Sequence, residues 1–373
     1  MLSLRKSAFS RSGRVSTFPE RFASLSLLLV LAVLLSACGE AAAPAAETPA
    51  AVISPAPAVE PAPTPESDAA AVFAPEPSDP PSPEPSPAPT PEPTPEPTPK
   101  PTPAPAPDDS FLPSEDGLWW KLEGGTLTIA GTGDMMDYGV SRNRPPWKEQ
   151  GGSIRTLVVQ EGVSSLGANA FYNGIELSRV RLPESLRRIG DSAFTYCISL
   201  WELDLPEGLQ EIGESAFGNC VALQRLSLPE SLAALDDYAF HNCSALTSLS
   251  LPSGIEQIGA FAFFNCSRLS VLELPESLDS LGPYALRGCR ALRTLSLPEG
   301  ISRIPEGLCY ECTSMRSIAL PASLQEIGDH AFYNCAVLTE VRFSGSEEQW
   351  SALSVGSFCE PLLAAGIQFD AEA

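Results

Sequence analysis

From residue 182 onward a Leu-Pro pair returns every 23 residues, at 182/183, 205/206, 228/229, 251/252, 274/275, 297/298 and 320/321. No isolated unit of this length buries a core of its own, so a chain built this way becomes stable only by laying each unit against the next. Residues 203–223 show how one unit works. Leu203 and Leu205 alternate with polar neighbours and read as a short strand with one face inward. Pro206, which lacks an N–H, ends that strand. Leu209, Ile212, Ala216, Phe217, Cys220 and Leu223 then recur at three or four residues, which predicts a short helical or 3-10 turn on the opposite side. Gly213 stands between the two modes, where a positive φ is expected.

Stacked units place equivalent strands side by side, about 4.8 Å apart, and equivalent side chains form columns. The small slot holds Ala170, Ala193, Ala216, Ala239, Ala262, Ala285 and Ala331; the next holds Phe171, Phe194, Phe217, Phe240, Phe263 and Phe332. The expected fold is therefore α/β: a leucine-rich repeat solenoid, with a parallel β-sheet on one side and short helical or 3-10 turns on the other. The consensus Leu-x-x-Leu-x-Leu-Pro-x-x-Leu-x-x-Ile-Gly-x-x-Ala-Phe-x-x-Cys resembles the BspA-type leucine-rich repeats of bacterial surface proteins. The stretch from Gly125 to Met135 with Pro146-Trp147 resembles the entry segment of such arrays, and the stretch from Ser344 to Trp350 the exit segment. Together these define an N-terminal cap at 110–153, about eight repeats at 154–343 and a C-terminal cap at 344–373. The resemblance implies adhesion to an extracellular protein or cell-surface ligand.

The first third of the chain has a different character. Arg5, Lys6, Arg11, Arg14 and Arg21 precede an apolar run at 23–35, the order of an export signal, expected at 1–37. That run is shorter than the roughly 20 residues needed to span a bilayer. Leu35-Ser36-Ala37-Cys38 resembles the lipobox of bacterial lipoproteins, which implies that Cys38 carries two acyl chains and anchors the protein to the outer face of the cell membrane. Residues 38–109 are almost entirely Pro, Ala, Glu, Thr and Ser, so they read as an extended tether, with a reach on the order of 200 Å. The 39–109 stretch holds twelve acids and one base, and residues 110–373 hold 33 acids and 17 bases. Neither carries the basic footprint that nucleic acid requires, so no nucleic-acid partner is expected.

Chemistry-bearing residues read mostly as structure. Seven of the ten cysteines, from Cys197 to Cys335, stand 23 apart, so they should form a single column of buried thiols acting as small hydrophobes. Cys309-Tyr310-Glu311-Cys312 is formally a CxxC. In register, however, Leu308 and Cys309 fill the Ala and Phe slots, a volume exchange that a packed core tolerates. His241 and His330 fall at different repeat positions with no ligand or triad pattern beside them. Gly190-Asp191-Ser192-Ala193 lacks the second glycine of a nucleophile elbow. Gly131-Thr132-Gly133 lacks the third glycine and the strand-turn-helix setting of a dinucleotide site. No catalytic residue, cofactor or metal is expected.

What remains is the solvent side of the sheet, a face that solenoids commonly use for binding. The positions flanking the inward leucines give a candidate face of Arg179, Arg181, Glu202, Asp204, Arg225, Ser227, Ser248, Ser250, Glu273 and Ser296. It is mixed in charge and nearly free of aromatics. A passive spacer of the cell envelope is the competing reading, and an enzyme using the cap region a more distant one.

Overall fold

The computed structural model describes residues 107–370; Cys38 and the export signal lie outside them, as does nearly all of the tether. Within them the 23-residue period becomes a stack of coils. Front strands pair in parallel in the register the repeat demands, with Leu203 opposite Leu226, Leu249 opposite Leu272 and Leu295 opposite Ile318. Leu205, Leu228 and Leu251 are all buried in the shared interior. The front ladder is interrupted. Pairing lapses between Arg179–Arg181 and Glu202–Asp204, between Arg225–Ser227 and Ser248–Ser250, and between Val271–Glu273 and Thr294–Ser296.

From the first Leu-Pro pair onward each coil also has a second, two-residue strand shortly after that pair, which the leucine pattern does not disclose. Arg188–Ile189 pairs with Glu211–Ile212, and Ala234–Leu235 with Gln257–Ile258 and then Ser280–Leu281. Arg188 with Glu211 and Arg303 with Glu326 form exposed ion pairs across this rear ladder.

The side expected to be helical is made of single turns, and the hydrogen bonds explain why. Ala216 N–H donates to Gly213 O, Gly218 to Ser215 O and Cys220 to Phe217 O, all i to i+3. The alternate amides leave the coil: Ser215 N–H donates to Asp237 O, Phe217 to Ala239 O and Asn219 to His241 O. A continuous 3-10 helix would spend every amide within its own coil. Here every second one bonds the following coil, so the turns act as a further inter-coil ladder. Left-handed residues enforce the alternation, with φ of 57° at Ser215 and 61° at Asn219, and equivalents at Tyr238, Asn242, Phe261 and Asn265.

Gly213 therefore differs from expectation, because it does not have positive φ; the left-handed slot is two residues later, on Ser215. The glycine is needed for close approach. A Cβ on Gly259 would sit 2.5 Å from Asp237 N, and one on Gly328 would sit 2.6 Å from Glu306 N, both backbone atoms of the preceding coil.

Aromatic stacking runs through the interior. Phe171, Phe194, Phe217, Phe240 and Phe263 follow at centroid spacings of 5.2, 5.4, 5.4 and 5.9 Å. Leu286 and Cys309 continue the slot before Phe332, all of them buried. At the N-terminal end Trp147 stacks on Phe171 at 5.8 Å, and its indole N–H donates to Ala170 O. Tyr138 and Trp120 meet Trp147 edge-on, so the column ends on aromatic rings rather than on water. The hairpin of Trp119–Glu123 and Thr126–Ala130 closes this end. Gly124 and Gly125, both at positive φ, make the two-residue loop whose twist suits paired strands. At the other end the helix Glu347–Ala352 begins with a capping box between Ser346 and Gln349, and Trp350 packs edge-on against Phe343.

Candidate binding face

Nine of the ten candidate face residues are exposed and Glu202 is half-buried, because strand alternation turns the intervening leucines inward. The face is graded along the stack. Arg179 and Arg181 come first, then Glu202 and Asp204, then Arg225. Arg225 reaches back to Glu202 across paired strands at 3.5 Å. As an exposed ion pair this contributes little to stability, so both charges remain available to a partner. Ser227, Ser248 and Ser250 form an uncharged middle, and Ser250 lies opposite Glu273 in the ladder.

The last lapse in the ladder opens the face. Between Val271–Glu273 and Thr294–Ser296 lies a depression of about 390 Å³, bordered by Val271, Glu273, Glu276, Thr294, Ser296 and Pro298. Glu273 and Ser296 were legible as face residues. The depression was not, because nothing in the repeat marks where strand pairing fails. Val271 is 51% exposed and gives the depression an apolar lip. Trp201 is 41% exposed beside Glu202, in a slot that holds Ser178, Gln224 and Thr247 in neighbouring coils. Its departure from those polar residues was the available signal.

The cysteine column is a set of buried free thiols with a role beyond filling space. Cys220 Sγ donates to Phe194 O at 3.3 Å, Cys243 to Phe217 O at 3.3 Å and Cys266 to Phe240 O at 3.2 Å, so each coil is tied to the one before it. Burial pushes the Cys197 and Cys266 thiols up to about 12. For Cys309 the hydrogen bond with Cys312 raises the pKa first and burial adds to it. A thiol held protonated is a poor nucleophile and a poor metal ligand. Among the described residues no group of three or more His, Cys, Asp or Glu is arranged to hold a metal ion.

The leucine consensus does not disclose a further ladder, made of asparagines. Asn265 Nδ2 donates to Asn242 Oδ1 and Asn242 Nδ2 to Asn219 Oδ1, each at 2.9 Å. Asn219 Nδ2 then donates to His241 Nε2 at 2.8 Å, which leaves Nδ1–H to donate to Tyr238 O at 2.8 Å. His241 is thus fixed as a neutral ring, and burial lowers its pKa. The unfolded chain takes up this proton more readily, so stability should be present above the ordinary histidine value near 6.5 and fall as pH drops below it. The expected result is a larger loss of Tm between pH 7 and pH 5 in the parent than in His241→Asn; equal losses would show that the ring does not report pH. His330 instead stacks on Phe358 at 4.5 Å, far along the stack from His241.

Residues 149–244 and 233–354 match the family model described as BspA type Leucine rich repeat region, in six copies. Among solved structures the chain is similar to a leucine-rich repeat protein from Bacteroides ovatus, with 23% identity, a TM-score of 0.46 and coverage of 70% of this chain and 78% of that one. It is also similar to the T. pallidum leucine-rich repeat protein, with 24% identity, a TM-score of 0.41 and coverage of 64% and 91%. A third likeness, to a leucine-rich cell surface protein of Faecalibacterium prausnitzii, has 20% identity, a TM-score of 0.28 and coverage of 68% and 98%. No curated protein matches.

Proposed function

Because this chain belongs to the BspA-type leucine-rich repeat family, we propose that it is a non-catalytic binding protein of the cell surface, engaging an extracellular protein or cell-surface ligand through its front face. One observation carries this reading: coil after coil presents solvent-facing strand residues on a rigid frame, and the run ends in a depression with acid, hydroxyl and apolar groups on its border. Ligand sites are concave and combine apolar walls with a few placed polar groups. Lipid at Cys38 and the proline-rich stretch would hold this frame away from the membrane, as the lipobox-like sequence suggests.

Two measurements test the reading. Reversing charge at Glu202, Asp204, Arg225 and Glu273 together should abolish saturable capture of the binding partner from host or bacterial surfaces. Equal capture by parent and variant removes the front face, and no saturable binding by either favours a passive spacer. Separately, Cys38→Ala should release the protein from the membrane fraction and eliminate labelling by a fatty-acid probe. Retention of both would refute the anchor.

A further inference from the structure

In three successive coils the loop running from the buried cysteine to the front strand holds four arginines and no acid. They are Arg268 in 266–270, Arg290 and Arg293 in 289–293, and Arg316 in 312–316. The matching loops at 174–178, 197–201, 220–224, 243–247 and 335–339 contain no arginine, and the corresponding stretch at 151–155 holds Arg155 alone. All four side chains are exposed. Backbone bonds hold the loops side by side: Ala291 N–H donates to Ser267 O at 3.1 Å and Arg316 N–H to Arg293 O at 2.8 Å. Arg293 and Arg316 therefore occupy one slot in consecutive coils, about 4.8 Å apart along the stack.

Only Arg290 has a carboxylate partner, Glu311 at 3.6 Å; among the described residues Arg268, Arg293 and Arg316 make no ion pair. In a head with 33 acids against 17 bases, this is a local reversal of sign. Arg287 extends it toward the turn side, its guanidinium lying 4.5 Å from the Tyr310 ring centroid and its Nε buried without a hydrogen-bond partner.

The neighbours of the four arginines narrow the partner. Ser267, Ser270, Ala291, Thr313 and Ser314 lie between them, small and mostly hydroxylated. Folded protein partners are held mainly by Trp, Tyr and Arg anchors seated in packed pockets that exclude water; these loops offer the arginines but no aromatic or exposed apolar surroundings to seat them. Single-stranded nucleic acid needs an aromatic platform for its bases, which is equally absent from them. What the edge does present is a row of arginine forks at coil spacing, suited to bidentate capture of anionic oxygens along an extended chain.

We propose that this arginine edge binds a linear sulfated polysaccharide, an inference that rests on the surface-binding reading above. The sugar hydroxyls would meet the serine and threonine hydroxyls between the arginines, and sulfates would meet the guanidinium groups.

Heparin is the probe, used with the chain from residue 38 onward carrying Cys38→Ser. Its affinity should fall with salt, and the triple variant R268S/R293S/R316S, which spares the Arg290–Glu311 pair, should weaken it by about tenfold or more at low salt. The slope of log affinity against log salt should drop by about three, one per arginine lost. An unchanged Tm would show that the variant is folded, and a conservative R268K/R293K/R316K variant should recover part of the affinity. Equal heparin affinity in the parent and the serine variant would overturn the site. Competition by polyglutamate or duplex DNA as effective as that by heparin would overturn the assignment to a sulfated glycan. The front-face charge variant keeps all four edge arginines, so its heparin binding separates failure of this inference from failure of the front-face reading.

Discussion

Phe217→Ala is expected to destabilise the protein by about 3–5 kcal/mol, because it opens a cavity in an interior that cannot close over it. Phe217 is fully buried and its ring lies 5.4 Å from Phe194 on one side and 5.4 Å from Phe240 on the other, at interplanar angles of 4° and 2°. Both neighbours are held in place by their own coils. Phe217→Leu should cost less, since the same slot already accepts Leu286. Chemical denaturation gives the magnitude, and amide exchange gives the reach. In a stack whose units touch only their neighbours, lost protection should centre on 190–245 and spare the ends. Uniform loss over the whole array would show instead that the coils unfold as one.

Gly259→Ala should be nearly as damaging, although it adds only a methyl group. The added carbon would fall 2.5 Å from Asp237 N and 2.6 Å from Asp236 C, and backbone at the centre of a stack does not step aside. Overpacking of this kind costs about 1–3 kcal/mol, and contact with a backbone peptide of the preceding coil rather than with a movable side chain argues for the upper end. Gly254→Ala is the control. Its nearest neighbour would be Glu230 O at 3.9 Å, so the change should be close to neutral. Similar Tm losses in the two variants would refute close approach as the reason for the Gly259 column.

The Leu-Pro period was sufficient to foretell the coil length, the inward leucines and the strand register, because a 23-residue spacing leaves a parallel stack only one way to align like with like. It also foretold the filled column, including the Leu308 and Cys309 exchange, since volume is legible in residue identity. Hydrogen-bond direction is not. The apolar positions from Leu209 to Leu223 have helical spacing, yet alternate amides bond the following coil. The sequence carries no sign of this beyond the asparagines at positions such as 219, 242 and 265, which tolerate left-handed backbone. Gly213 departs from the expected positive φ for a related reason: close approach and positive φ select the same residue, and only the neighbouring coil distinguishes them. On the face, the polar residues were identifiable one by one, but the depression beside Glu273 arises from a lapse in strand pairing that no single residue encodes.

The thiol column gives the molecule an internal gauge of its own opening. Seven cysteines sit one to a coil, each shielded from solvent while its coil remains docked. A small alkylating reagent would therefore mark coils only as they come loose under heat, denaturant or pulling force, with Cys309 adding a second mark to the Cys312 coil and Cys359 a mark in the C-terminal cap. Because the marks occupy known places, peptide mapping would give the order in which the stack comes apart.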